Sequence, residues 1–394
     1  MNRYHFALFL LAGLAACTKK HEDAPAAASS APTGIAPVDD VAAFLANDDA
    51  PLTAEMEERL VLGLKGCPLK DESYDLDCDA AKALSKARNK KTTLKNLVGM
   101  SAGIGKKHLD DADPAIRFES VRMMGSLFGA DDGTQKALLD RAKIEAHPAV
   151  LRNIARVVGS RHKGNSEVKA LLFRLADHPS EAVRSEALGW FVTSFSQGET
   201  DTFDKVLEKL EKDPSMAVRT KLCSSLSRSG DSRAVPTIKK YLDAKTTDDK
   251  LYGACFGGLV GAWAGFPKAD PPSKEAYEAT LKHLTMKPRT HERPPWNQIS
   301  SIRSAKLEVK NGFDQKWVDA VKPWFKPEAT YAALSDLAGD SNANWIGRSA
   351  AVDAMLEMGA PKAVFAALQK KLAGKTGEDA LVLKTVEKDL PSAK

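Results

Sequence analysis

Aromatic residues are scarce in this sequence, where they make up 7% of 394 residues. β-Sheets are enriched in aromatic and β-branched residues, whereas alanine and leucine favour helices. The scarcity therefore argues against a β-sandwich or a β-barrel. Neither of the two apolar runs, residues 6–16 and 251–266, reaches the roughly 20 residues that a membrane-spanning helix needs. We expect the second run, which is rich in glycine and carries no charge, to form a central buried helix.

The sequence also lacks a coherent set of catalytic or metal-binding residues. Residues 99–103 match the G-x-S-x-G pattern of a hydrolase nucleophile at Ser101, but the strand and parallel sheet that this chemistry needs are not indicated. His291-Glu292 has no second histidine at the spacing of a zinc protease. We therefore predict that the protein is not an enzyme and uses no cofactor or metal. The alternative is an envelope hydrolase that uses Ser101 or a site near His291 and Glu292.

The sequence has no large excess of charge of one sign. Its formal net charge of +5 gives little indication of nucleic-acid binding. The strongest local bias lies between residues 82 and 107, where basic side chains occur without a single acid. Lys86, Lys90 and Lys91 are therefore candidates for contact with an acidic partner or with anionic lipid. The alternative is a helix face that is simply solvated.

A repeat occupies the chain from Asp111 to about Leu242. Four polar turns end in proline, and each is followed by an arginine, at positions 117, 152, 184 and 219, so that the spacings are 35, 32 and 35 residues. A period in this range indicates a solenoid of helix pairs. His147 and His178 occupy equivalent turns. We expect them to cap or pack rather than share a metal, because adjacent layers lie about 10 Å apart.

The helices of this repeat resemble HEAT and related armadillo-type repeats. Val183-Arg184 with Ala187-Leu188 carries the resemblance most clearly, and it holds over residues 111–245 and returns at 341–374. The resemblance implies an all-α fold, a right-handed α-α superhelix, over residues 111–394. It also implies that one arginine per repeat is structural and pairs with an acid or a carbonyl of a neighbouring repeat, namely Arg117, Arg152, Arg184, Arg219 and Arg348.

The N-terminus has the layout of an export signal. Arg3 precedes the apolar run 6–16, and Leu14-Ala15-Ala16-Cys17 resembles the lipobox of bacterial lipoproteins. The resemblance implies that residues 1–16 are a signal peptide and that Cys17 carries acyl chains such as palmitate. Because Thr18 rather than an aspartate follows, it also implies anchoring in the outer membrane, facing the periplasm. An ordinary cleaved secretory peptide is the alternative.

Residues 17–37 are rich in alanine, proline and serine and are expected to form a flexible linker to the folded part. A helical region, residues 38–110, follows, and it contains Cys67 and Cys78. In an exported protein this pair is expected to form a disulfide. Cys223 and Cys255 lie about one repeat apart and are expected in adjacent layers, either as buried thiols or as a second disulfide.

Two proline-rich loops interrupt the repeat after residue 265. Long insertions in solenoids often bind partners, and arginine and tryptophan are common at binding hot spots. An ordinary loop, with its tryptophan packed on the core, is the alternative. These features predict a membrane-anchored scaffold that binds a protein or peptide of the cell envelope and no nucleic acid. A purely structural envelope protein bound to anionic lipid or polymer is a further possibility. The loop candidates for partner binding are Phe266, Arg289, His291, Arg293 and Trp296.

Overall fold

The computed structural model describes residues 39–90, 97–126, 132–161, 164–195, 200–229, 232–244, 248–264, 272–287, 296–302 and 315–393. The chain divides into two units, Met1–Val38 and Asp39–Lys394. The first unit lies outside the described residues, so the predicted signal peptide, Cys17 and the linker lie outside them too. Within the described residues all regular structure is helical, as predicted, with twenty α-helices that stack on their neighbours in an all-α solenoid.

Two rows of helices form the repeat region. The first four helices of the first row begin at the four predicted turns, and the first-row helices pack against one another more extensively than the second-row helices do. The first row contains α5 (Pro114–Ser126), α7 (Pro148–Arg161), α9 (Glu181–Phe195), α11 (Met216–Ser229) and α13 (Asp249–Ala264). The second row contains α6 (Asp132–Ile144), α8 (Ser166–Leu175), α10 (Thr200–Lys212), α12 (Val235–Asp243) and α14 (Lys274–Thr285).

The turns that open the first-row helices are capped by the residues before each proline. Asp113 accepts a hydrogen bond from the backbone N–H of Ala115 at 2.8 Å. The Nδ1 atom of His147 accepts one from Ala149 at 3.3 Å, and His178 caps the next unit in the same way. The prediction that these histidines are capping residues is therefore confirmed.

Glycine allows the first-row helices to approach closely. A Cβ atom built on Gly159 of α7 would lie 2.6 Å from the Cβ atom of Trp190 on α9, nearer than real side chains come. Gly125 of α5 has the same relation to Val157 of α7. The small residues in this row therefore explain why its helices pack so tightly.

Four helices precede the repeats and extend their stack. They are α1 (Asp39–Ala46), α2 (Ala54–Leu62), α3 (Asp79–Arg88) and α4 (Leu97–Lys107). Their core includes Phe44, Leu60 and Leu84, and it continues into α5 through Ile116 and Met123. Because α4 packs along α5, this region is continuous with the first repeat.

The chain continues to stack beyond residue 245, where the sequence repeat is hard to recognise. The first row continues through α15 (Trp296–Ile302), α18 (Trp345–Met358) and α20 (Glu378–Asp389). The second row continues through α17 (Pro327–Ala338) and α19 (Lys362–Leu372), and the short helix α16 (Gln315–Val321) precedes α17. Every residue of α13 from Leu251 to Ala264 is buried, as expected for the glycine-rich apolar run. No helix among the described residues is long and apolar enough to cross a membrane.

Both cysteine pairs of the folded region are bonded. Cys67 and Cys78 form the predicted disulfide, with their Cα atoms 5.9 Å apart. Cys223 of α11 and Cys255 of α13, whose state the sequence left open, form a second disulfide with a Cα separation of 4.7 Å. Both of these residues are fully buried, so the second bond crosses the interior between adjacent first-row helices.

Candidate partner-binding site

The repeat arginines bridge adjacent units where an acid is available. Arg117 donates from Nε and Nη2 to the two carboxylate oxygens of Glu145, both at 2.8 Å, and from Nη1 to backbone carbonyls of its own turn. Arg184 makes the same set of contacts with Asp213, at 2.9 and 3.0 Å. Arg348 is fully buried and lies 2.5 Å from a carboxylate oxygen of Asp379. These contacts stabilise the stack.

The arginine that opens α7 departs from this pattern. Arg152 is 3% exposed, and its Nη1 donates to the carbonyl of Asp71 at 2.9 Å. Its guanidinium carbon lies 3.5 Å from the ring centroid of Tyr74, and its Nε lies 3.8 Å from the carboxylate of Glu186. Arg152 therefore holds the disulfide-bonded loop rather than the next turn. The guanidinium of Arg219 lies 6.0 Å from the ring of Tyr241.

The loop closed by Cys67 and Cys78 crosses three first-row helices. At its start, the N–H of Gly66 donates to Asp113 at 2.8 Å, just before α5. Asp75 lies 3.2 Å from Arg122 of α5. The hydroxyl of Tyr74 donates to Glu186 of α9 at 3.1 Å, and the Tyr74 side chain remains 51% exposed. The loop thus places an exposed aromatic ring over the middle helix, α7.

A chain of buried ion pairs underlies the same region. Glu57 of α2 lies 2.9 Å from Arg88 of α3, which also pairs with Glu119 of α5. The second oxygen of Glu119 lies 2.8 Å from Arg122. Each of the buried carboxylates in this chain therefore already has a cationic partner.

Ser101 belongs to that buried network. It lies within α4, its exposure is 0%, and its hydroxyl lies 2.8 and 2.7 Å from the two carboxylate oxygens of Glu57. A hydrolase nucleophile instead projects from a turn between a strand and a helix. The geometry of Ser101 therefore gives no support to the hydrolase alternative at this residue.

The basic candidates separate into different environments. Lys86 is exposed on α3. Lys90 is only 6% exposed, and its ammonium donates to the carbonyls of Phe44 and Asn47, at the C-terminal end of α1. Because cations stabilise that end of a helix, Lys90 is a structural residue and is not available to a partner, contrary to expectation. Lys91 lies outside the described residues.

Most of the loop candidates cannot be placed. Phe266, Arg289, His291 and Arg293 lie outside the described residues, as does Glu292 of the alternative enzyme site. Trp296 is the first residue of α15, but its side chain lies outside the described part. Their proposed role in partner binding therefore stays a prediction.

A surface that the sequence did not indicate lies on α7 and α9 beside Tyr74. We call it the Arg156 surface and define it by Tyr74, Arg156, Ser160 and Trp190, with the buried Asn153 beside Arg156. Arg156 is partly buried, and it donates from Nε and Nη2 to the side-chain oxygen of Asn153, at 3.2 and 2.7 Å. Trp190 packs on Gly159, about one turn from Arg156, and donates to Glu186 at 2.7 Å.

The electrostatic environment of Arg156 differs from that of the other arginines. Burial lowers its pKa, and the positive charges of Arg122 and Arg152 lower it further, whereas Glu186 and Asp75 act in the opposite direction. By contrast, the hydrogen bonds that Arg117 donates to Glu145 raise the pKa of Arg117 in spite of burial. A sequence signal existed, because Arg156 stands four residues after the repeat arginine and so on the same helix face.

Neither the groove between α6 and α8 nor any metal-binding cluster competes with this surface among the described residues. The groove is open and has a volume of about 820 Å³, but its charged residues neutralise one another, as where Asp140 lies 2.9 Å from Lys136 and 2.7 Å from Lys143. Among the described residues no cluster of histidine, cysteine or acidic side chains could hold a metal ion. The Arg156 surface is therefore the strongest candidate for a functional site.

The fold defines a protein of stacked helical repeats. No protein-family model matches the chain, and no curated protein matches it. One solved structure that is similar to it is titled an engineered protein, with 15% sequence identity, 91% of each chain covered and a TM-score of 0.35. A likeness at that level carries no functional information.

Proposed function

We propose that this protein is a lipid-anchored, periplasm-facing scaffold of HEAT-like repeats that binds a protein or peptide partner in the cell envelope. The lipobox-like sequence at Cys17 and the linker of residues 17–37 support the anchor. The two disulfides support an oxidising compartment, because disulfides persist outside the reducing cytosol.

The Arg156 surface is the observation that carries the binding role. Aromatic and arginine side chains dominate binding hot spots, and here Tyr74, Arg156 and Trp190 reach one solvent-facing surface. They stand on packed helices and on a loop fixed by a disulfide, so little side-chain and backbone entropy is lost on binding. Repeat proteins commonly use such continuous surfaces for their partners.

Anchoring is tested by growing cells with an alkyne analogue of palmitate and separating their membranes. The expected result is label on the wild-type protein in the outer-membrane fraction, and an unlabelled, released protein for Cys17→Ser. Wild-type protein that carries no label, or Cys17→Ser that stays in the membrane, would show that the anchor is not at this cysteine.

Partner binding is tested with a photoreactive amino acid placed in intact cells at Ser160, within the Arg156 surface. A matched control carries it at Glu208, which is exposed on the second-row helix α10. We expect a reproducible cross-linked species from position 160 and none of the same mass from position 208. The same species from both positions, or none from position 160, would refute binding at this surface.

A further inference from the structure

Arg122 of α5 and Arg152 and Arg156 of α7 form a cluster in which one arginine has no carboxylate partner among the described residues. Arg122 is paired with Glu119 at 2.8 Å and with Asp75 at 3.2 Å. Arg156, in contrast, makes both of its hydrogen bonds to the neutral amide of Asn153. No carboxylate among the described residues lies within ion-pair distance of Arg156.

Its neighbour Arg152 is also incompletely satisfied. The Nη2 atom of Arg152 is buried and has no hydrogen-bond partner among the described residues. The carboxylate closest to it, Glu186, lies 3.8 Å from Nε and already accepts hydrogen bonds from Tyr74 and Trp190. Buried polar groups are normally paired, so unfilled donors beside a solvent-facing arginine point to a ligand.

We propose that the Arg156 surface binds a carboxylate group of the partner polypeptide, and that Arg156 is the residue that receives it. The inference rests on the proposed function and names the chemistry that this surface recognises. The planar guanidinium presents a fork of donors that matches the two oxygens of a carboxylate. The exposed ring of Tyr74 and the ring of Trp190 provide apolar contact for the flanking chain.

Charge complementarity decides in favour of an acidic segment. The side chains closest to Arg156 with unmet hydrogen-bonding capacity are donors, while Glu119 and Glu186 are engaged from within the protein. A basic segment would be repelled by Arg156, which has no carboxylate partner among the described residues, whereas Arg122 is already paired with Glu119 and Asp75. A neutral segment could offer backbone carbonyls to these donors but would leave the positive charge of Arg156 without a counter-charge. An added carboxylate would also oppose the effect of burial, which lowers the pKa of Arg156.

The test uses the full chain with Cys17→Ser, which leaves it without the lipid, and a randomised peptide library as the probe. Peptides enriched by this protein are resynthesised in matched forms, with internal Glu or Asp changed to Gln or Asn and with the C-terminus free or amidated. Fluorescence anisotropy then gives their Kd values. The two sets of changes distinguish a side-chain carboxylate from a C-terminal one.

We expect removal of one particular carboxylate to weaken binding about tenfold or more, as for loss of a charge-assisted hydrogen bond. Arg156→Gln should raise the Kd of the intact peptide by a similar factor. In this variant, removal of the carboxylate from the peptide should cause no further change in Kd. Arg156→Lys, which keeps the charge but loses the fork, should fall between the two. Arg174→Gln on α8, an exposed second-row arginine, is the matched control and should change nothing.

Three outcomes would overturn the proposal. In the first, the library yields no enriched peptide. In the second, the Kd of the enriched peptides is unchanged by Arg156→Gln. In the third, the protein binds phosphatidylglycerol vesicles in preference to the peptides, and Arg156→Gln abolishes that binding. A thermal unfolding curve for each variant separates loss of the site from loss of the fold. If Arg156→Gln leaves the cross-linked species of position 160 intact in cells, the carboxylate proposal fails while the scaffold function stands.

Discussion

Replacing Arg117 by methionine is expected to lower the free energy of unfolding by about 3 kcal/mol. The variant keeps a side chain of similar length but removes both hydrogen bonds to Glu145. It leaves a carboxylate whose side chain is fully buried without its bidentate partner. Removing one member of a buried ion pair typically costs about 3–5 kcal/mol, because the remaining charge is uncompensated.

The lower end of that range applies because Glu145 keeps other contacts. Arg141 remains 2.9 Å away, and the backbone N–H of His147 donates at 2.8 Å. Asp213, the partner of Arg184, keeps chiefly the N–H of Ser215 among its hydrogen bonds. The loss for Arg184→Met should therefore equal or exceed that for Arg117→Met.

Urea denaturation followed by far-UV circular dichroism measures these differences. Arg59→Met is the matched control, because Arg59 is exposed on α2 and pairs at 2.7 Å with an exposed Glu55. Exposed pairs contribute less than about 1 kcal/mol, so the midpoint of this control should barely move. If Arg117→Met and Arg59→Met shift the urea midpoint equally, the buried ion pairs of the repeat arginines do not stabilise the stack.

The loss in Arg117→Met should also depend on pH. Burial by itself raises the pKa of Glu145, but the hydrogen bonds from Arg117 and His147 outweigh it, so that the pKa in the folded protein lies below its ordinary value. A group with a lowered folded pKa contributes stability above its unfolded pKa, about 4.3, and loses that contribution as the pH falls through the folded pKa. The difference between wild type and variant should therefore be full at neutral pH and narrow below about pH 4. A difference that is constant with pH would contradict this assignment.

Three further predictions concern the stack itself. Replacing Cys223 and Cys255 by alanine should lower the free energy of unfolding by about 3.7 kcal/mol, because the disulfide closes a loop with a sequence separation of 32 residues. Alkylation followed by mass spectrometry should find neither thiol free in the wild type. Gly159→Ala should cost about 1–3 kcal/mol in thermal unfolding, because the new methyl group meets Trp190. Lys90→Ala should raise amide exchange in α1 while leaving the exchange of α9 unchanged, and equal effects on both helices would show that Lys90 acts globally.

Local chemistry explains why so much of the repeat could be predicted. Proline fixes the start of a helix, and a preceding Asp113 or His147 supplies the cap, so these turns are encoded within a few residues. The apolar run from Leu251 could be recognised as buried because it carries no charge. The disulfide between Cys67 and Cys78 closes a short loop, which makes its pairing predictable from the sequence.

The candidate site was less accessible to such reasoning. Lys90 was assigned to a basic surface because its neighbours in sequence are basic, yet its ammonium is bound to carbonyls more than forty positions earlier. Arg156 follows the repeat arginine Arg152 by four residues, but its environment depends on Asp75 and Glu186, which come from distant parts of the chain. Such proximity is a property of packing.

The helices, their turns and their period follow from local sequence, because capping, proline geometry and apolar spacing act over one or two turns of chain. Which arginines meet a carboxylate depends instead on how distant segments of the chain pack against one another. Arg117 and Arg156 are the same residue type on adjacent helices of the first row, α5 and α7. They differ because Glu145 comes within hydrogen-bond distance of the first, while only the neutral amide of Asn153 reaches the second.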